Sequence, residues 1–174
     1  VFSSFSAAWN IMEEQFMPER SVLSQLKLRG SYGETGNDQL SGYYPWVSSM
    51  VRNNYVFGAG ENDVMIMTYS PGGFTNRELG WEKNRQVNFG IDAGLFSGRI
   101  ELAVDIYKRN SNTILSTPIP IINGKSAATI RNIGNVQNRG LEINLSTKNL
   151  TGDLKWNTNF NIAFNRNKIL SLGP

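Results

Sequence analysis

"QVNFGIDAGLFSGRIELAVDIYK", Gln86 to Lys108, is the stretch whose reading decides the fold. Val87, Phe89, Ile91, Ala93 and Leu95 alternate with Gln86, Asn88, Gly90, Asp92 and Gly94. Beyond Ser97 and Gly98, Ile100, Leu102, Val104 and Ile106 alternate with Arg99, Glu101, Ala103, Asp105 and Tyr107. Period-two alternation on both sides of a Ser-Gly signal predicts an antiparallel hairpin. With Ser97-Gly98 as a two-residue loop of the primed type, Leu95 faces Ile100, Ala93 faces Leu102, Ile91 faces Val104 and Phe89 faces Ile106. A slip of one residue would break all these apolar pairs together, so turn chemistry and alternation select the same register.

The same design recurs along the chain. Leu141, Ile143 and Leu145 alternate with Glu142, Asn144 and Ser146; Trp156, Thr158, Phe160, Ile162 and Phe164 alternate with Lys155, Asn157, Asn159, Asn161 and Asn165, and Thr151-Gly152-Asp153 supplies the turn between them. Upstream, Leu26, Leu28 and Tyr32 lie opposite Lys27, Arg29 and Ser31, while Phe5, Ala7 and Trp9 share one face of "VFSSFSAAW". These patterns predict six antiparallel strands. Tight turns alternate with long segments, Gly36 to about Arg85 and about Ser116 to Asn138, rich in Gly, Asn, Ser, Pro and aromatics. Only Ile11 to Ser24 breaks this rule, allowing a short helical turn on a side where tight turns are expected.

Composition narrows the chemistry. The 174 residues contain neither cysteine nor histidine, so disulfides, zinc-thiolate sites, thiol nucleophiles and imidazole bases are excluded. The sequence predicts no metal site, no cofactor and no catalytic residue. A net charge of +3 carried by cations spread along the chain does not form the basic cluster that nucleic acid requires. No apolar run reaches the roughly 20 residues of a spanning helix, so any membrane role falls to strands. The chain opens inside a strand-like pattern and stops at "SLGP" without a closing signal, which predicts a piece of something longer.

Alternation alone leaves two architectures open. In a soluble β-sandwich, such as a carbohydrate-binding module, the apolar face packs on a second sheet. In an outer-membrane barrel it meets lipid and the polar face lines the lumen. Three features favour the barrel. Strands of about 10 residues, tilted about 40°, rise roughly 25 Å, the height of a lipid-facing band. Short turns alternate with long loops, and the middles of the apolar faces carry no charge. Trp81, Phe96 and Trp156 sit near strand ends, as interfacial girdles require.

Asn88, Asp92, Glu101, Asp105 and Glu142 are then predicted to face the lumen. Paired carboxylates also suit glycoside hydrolysis, but nothing in the sequence encloses them, so they read as wet lumen lining instead of acid catalysts. In the first long segment, Tyr43, Tyr44, Trp46, Tyr55 and Phe57 stand among Arg52, Asn53 and Asn54, aromatic platforms beside amides that suit sugar stacking, peptide contact or a partner surface. The alternative is that these aromatics pack the loop on itself.

Four stretches, "LSQLKLRGSYGETGN" (Leu23 to Asn37), "NRELGWEKNRQVNFGIDAGLFSGRIELAVDIYKR" (Asn76 to Arg109), "IRNIGNVQNRGLEI" (Ile130 to Ile143) and "NTNFNIAFNRNKI" (Asn157 to Ile169), resemble the SusC/RagA family of TonB-dependent outer-membrane transporters. The resemblance covers nearly the whole chain and lies in the C-terminal part of the barrel. It implies that residues 1–174 form part of one receptor barrel domain of 22 strands. It also implies a plug and TonB-contacting region upstream of Val1, a SusD-like surface lipoprotein as partner, and import of oligosaccharides or peptides across the outer membrane.

Overall fold

The computed structural model describes residues 1–17, 22–40, 44–58, 60, 63–123 and 127–173. Among the described residues eight strands run in chain order: β1 (Ser4–Asn10), β2 (Leu23–Asn37), β3 (Met50–Phe57), β4 (Val64–Pro71), β5 (Glu82–Leu95), β6 (Ile100–Ile119), β7 (Ala127–Thr151) and β8 (Lys155–Leu172). Six of them form one antiparallel sheet in the order β1-β2-β5-β6-β7-β8, and β3 pairs with β4 in a separate two-stranded sheet. The large sheet is open, with β1 and β8 at its edges.

The register of the central hairpin is the one its alternation dictates: Leu95–Ile100, Ala93–Leu102, Ile91–Val104 and Phe89–Ile106 are direct partners. The second hairpin pairs Leu141 with Phe164, Ile143 with Ile162 and Leu145 with Phe160. Continuing across the sheet, Trp9, Leu28, Ile91, Val104, Ile143 and Ile162 form one unbroken apolar row. Ile91 is 37% exposed and Phe164 57% exposed, and among the described residues no hydrophobic side chain is buried. A sandwich would need a second sheet to cover this face, so the sandwich alternative fails here. An amphipathic sheet of six strands that buries nothing of its own is one whose apolar side needs a solvent other than water.

The turn after β5 departs in detail from a simple two-residue loop. Ser97 and Gly98 take the positive φ values of a primed turn, 56° and 77°, but Phe96 also sits at 52°. A left-handed Phe is strained. It is held by its N–H, which donates to the Val22 carbonyl at 2.8 Å, while the Arg99 N–H reaches both Leu95 O and Phe96 O.

The long segments also differ from the sequence reading. Within 36–85 the chain forms the β3–β4 hairpin, and 116–138 is mostly strand: β6 runs to Ile119 and β7 starts at Ala127, with a short 3-10 turn at Ile121–Asn123 between them. Strand composition there is unusual because pairing continues past the apolar band, through a register irregularity between Thr113 and Leu115 and through Pro118 opposite Ala128. The predicted helical turn is a single 3-10 turn at Ile11–Glu13.

Candidate functional site

The face opposite the apolar rows carries the chain's polar chemistry. Asn88, Asp92, Glu101, Asp105 and Glu142 all have the parity of this face. It brings Asn88, Asp105 and Glu142 together with Tyr107, Arg109 and Asn165 along a groove of about 450 Å³. A neighbouring groove of about 470 Å³ runs between Ser6, Ser31, Asn84, Gln86, Asn88 and Arg109. Arg109 Nε donates to Gln86 Oε1 at 2.8 Å, and Gln86 Nε2 donates to Asn88 Oδ1 at 2.9 Å, a chain of amides and a guanidinium laid across β5 and β6. Hydroxyls, amides, two carboxylates and Arg109 on an open polar wall can exchange hydrogen bonds with a polar solute and with water.

Asp92 and Asp105 are not free carboxylates. Arg29 Nε and Nη2 donate to the two oxygens of Asp92 at 2.8 and 2.9 Å, and Nη2 also donates to Asp105 Oδ2 at 3.1 Å. Arg29, Gly90 and Asp105 occupy one row on three adjacent strands. Any Cβ at Gly90 would meet Asp105 and Arg29, so the missing side chain is what lets the guanidinium cross β5 and bridge two strands. The alternation in the sequence displays both carboxylates, but Arg29 and Gly90 become part of the arrangement only through strand order. Glu101 stands apart toward the tight-turn end, 4.0 Å from Lys148 Nζ.

The loop aromatics do not form one platform. Tyr43 lies outside the described residues. Tyr44 and Trp46 meet edge to face, with ring centroids 5.7 Å apart. Arg52, Asn53, Tyr55 and Phe57 are all on β3, and the period of a strand divides them: Asn53, Tyr55 and Phe57 share a face with Thr68, Ile66 and Val64, whereas Arg52 shares the other with Tyr69 and Met67. Both faces of the hairpin expose large apolar side chains, among them Tyr55, Phe57, Met65 and Tyr69. A lone two-stranded hairpin in water is marginal at best, so this one needs something to pack against.

At the base of that loop a group of residues fixes the chain to the wall. Asn132 Nδ2 donates to Gly80 O at 2.8 Å and Asn132 Oδ1 accepts from Gly80 N–H at 2.9 Å, so one side-chain amide replaces a strand partner. Asn76 Nδ2 donates to Ile130 O at 3.2 Å. The β5–β6 ladder ends at Lys83–Asn112, and above it the Glu82 carboxylate accepts the Ile114 N–H at 2.9 Å and Asn37 Nδ2 at 3.1 Å. Two motifs far apart in sequence, "LGWE" and "IRNIGN", thus meet at one joint. Trp81, beside it, stacks on Phe2 at 5.8 Å over Gly36, where a side chain would strike both rings.

A broad antiparallel sheet with one apolar and one polar face and no internal core among the described residues, with the tight β5–β6 and β7–β8 turns at one end, where the longer β1–β2 connection also lies, and the longest connections at the other, defines a section of transmembrane β-barrel wall. The chain belongs to the TonB dependent receptor-like, beta-barrel family, whose sequence model matches residues 1–170. It is 36% identical over 177 residues to the TonB-dependent receptor SusC of Bacteroides thetaiotaomicron and 33% identical over 174 residues to the TonB-dependent receptor P3 of Formosa agariphila. In each case 98% of this chain aligns with 17% of the relative. Solved structures of the RagAB peptide transporter share the fold, with a TM-score of 0.77 at 31% identity over 99% of this chain, and of 0.80 at 32% identity over 97% for the open-open state. The chain spans 18% of those transporter chains. The wall it forms belongs to the outer membrane.

Proposed function

We propose that this chain supplies barrel wall and outer loops to a TonB-dependent importer of glycans or peptides. The observation that carries the reading is the sheet's division into an apolar face that no layer covers among the described residues and a polar face lined by Asn, Ser, Gln and paired charges. The apolar face meets lipid; the polar face, with Asn88, Asp92, Glu101, Asp105 and Glu142, meets the lumen. Six strands cannot close a lumen of transporter size, so the plug, the TonB-contacting region and the remaining strands belong to other parts of the full-length protein.

Solute capture takes place at the outer end, where the β3–β4 hairpin and the Tyr44–Trp46 pair offer apolar and aromatic surface to a substrate or to a SusD-like lipoprotein lid. Movement past the polar wall follows plug displacement driven through TonB. The wall residues exchange hydrogen bonds with the solute and perform no covalent step. The test is the double variant Trp46→Ala, Tyr55→Ala in the full-length receptor. Substrate affinity or lipoprotein association should fall while the barrel still inserts; if both are unchanged, the aromatics serve only the loop's own structure.

A further inference from the structure

Three cations that are far apart in sequence become neighbours on the apolar side of the sheet. Lys108 on β6 pairs with Arg139 on β7, and Arg139 pairs with Arg166 on β8. Direct partners on adjacent strands lie about 5 Å apart, so the row places the Cα atoms of three cationic residues within about 10 Å. Their parity is that of Ile106, Leu141 and Phe164, the row directly beneath them, and not that of the polar face. Lys168 extends the patch on β8, with the same parity as Arg166.

Like charges directly opposite one another destabilise a sheet. Some cations of this wall are paired with carboxylates: Arg29 holds Asp92 and Asp105, and Arg85 Nε lies 2.8 Å from Glu34. Among the described residues no carboxylate lies within ion-pairing distance of Lys108, Arg139 or Arg166, and all three are exposed. The stretch of β8 from Trp156 to Arg166, at about 3.3 Å per residue and about 40° tilt, rises roughly 25 Å, the full height of the apolar band. The row therefore sits where acyl chains give way to headgroups, at the end that carries the long connections.

We propose that Lys108, Arg139 and Arg166 bind the phosphate groups of a phosphorylated glycolipid in the outer leaflet. Guanidinium forks match phosphate oxygens bidentately, the lysine adds a point charge, and the apolar row below receives the acyl chains of the same molecule. A lipid with phosphate at the head and several chains beneath satisfies both halves of the surface at once; free phosphate satisfies only the upper half. Simple snorkelling of each cation into water would satisfy the charges without any ligand, and it is the outcome that the test must separate.

The experiment uses the full-length receptor in nanodiscs titrated with diphosphorylated lipid A, with enzymatically dephosphorylated lipid A, or with inorganic phosphate. Binding is read by native mass spectrometry. The receptor should retain the phosphorylated lipid and discriminate against its dephosphorylated form. Each cation replaced by Gln should weaken retention about fivefold, and Lys108→Gln with Arg139→Gln and Arg166→Gln roughly 150-fold. Arg109→Gln, the next residue on β6 but on the opposite face, should leave retention unchanged. Equal retention of the two lipid forms overturns the proposal and needs no variant. So does undiminished binding by the triple variant, or binding of inorganic phosphate without the lipid.

Discussion

Glu82 is placed to hold the top of the wall, and its removal should be felt at one amide. Its carboxylate accepts the Ile114 N–H at 2.9 Å just beyond the last β5–β6 pair, and Asn37 Nδ2 at 3.1 Å. Ile114 is half-buried, so in Glu82→Ala its N–H loses a charged acceptor and only partly regains water. A buried donor left unmade costs about 1–3 kcal/mol, and partial exposure reduces that to about 1–2 kcal/mol. Local opening at Ile114 should therefore become about 5- to 30-fold more frequent, since RT is about 0.6 kcal/mol. Glu82→Gln keeps one acceptor oxygen and should give a smaller effect; Glu78→Ala, whose side chain makes no such bond, should give none. The assay is hydrogen exchange of the refolded full-length barrel, resolved to the Thr113–Leu115 segment. Unchanged protection of Ile114 in Glu82→Ala would refute the assignment.

Two further perturbations separate the faces and the ion bridge. Ile91→Arg or Val104→Arg places charge in the middle of the apolar row and should lower folding stability in lipid by about 2–4 kcal/mol, whereas Asn88→Lys on the polar face should be mild; urea titration of the refolded receptor reads the difference. Gly90→Ala should separate Arg29 from Asp105 while leaving Arg29 on Asp92, a loss of about 1 kcal/mol for these partly exposed groups. In an Asp105→Asn background most of that cost should vanish, and additive losses would show that Gly90 serves another purpose.

The central hairpin is readable in the sequence because two independent signals agree there: strict alternation and a Ser-Gly turn. Phe96 spoils the match only at the turn itself, where its left-handed backbone depends on Val22, a residue no local pattern connects to it. The β3–β4 hairpin escapes a periodicity reading because both its faces are apolar: Tyr55 and Phe57 point one way, Val56 and Met65 the other. The upper parts of β6 and β7 escape for a different reason. Gly, Asn, Ser and Pro in 116–138 resemble loop composition, yet the strands continue there with Asn132 and Glu82 supplying bonds the ladder lacks.

Residues of the candidate wall divide in the same way. Parity puts Asn88, Asp92, Glu101, Asp105 and Glu142 on one face with no knowledge of strand order. Arg29 over Gly90, and the row Lys108–Arg139–Arg166, exist only once β2 lies beside β5 and β6, β7 and β8 lie side by side. Cations that look evenly scattered along the chain are thereby gathered at one height. Their exclusion from the middle of the apolar band is the part visible in sequence.

The orientation of the sheet can be read directly, because the chain contains no cysteine of its own. Single cysteines at Ile91, Ile106 and Ile143, and at Asn88, Asp105 and Asn144, would be introduced into a full-length receptor otherwise free of cysteine and labelled with bimane. The receptor would then be reconstituted with lipids carrying spin-labelled acyl chains. Quenching of the first three positions and not of the second three is the result expected for an apolar face in lipid and a polar face on the lumen. Equal quenching, or quenching of Asn88, Asp105 and Asn144 alone, would contradict it.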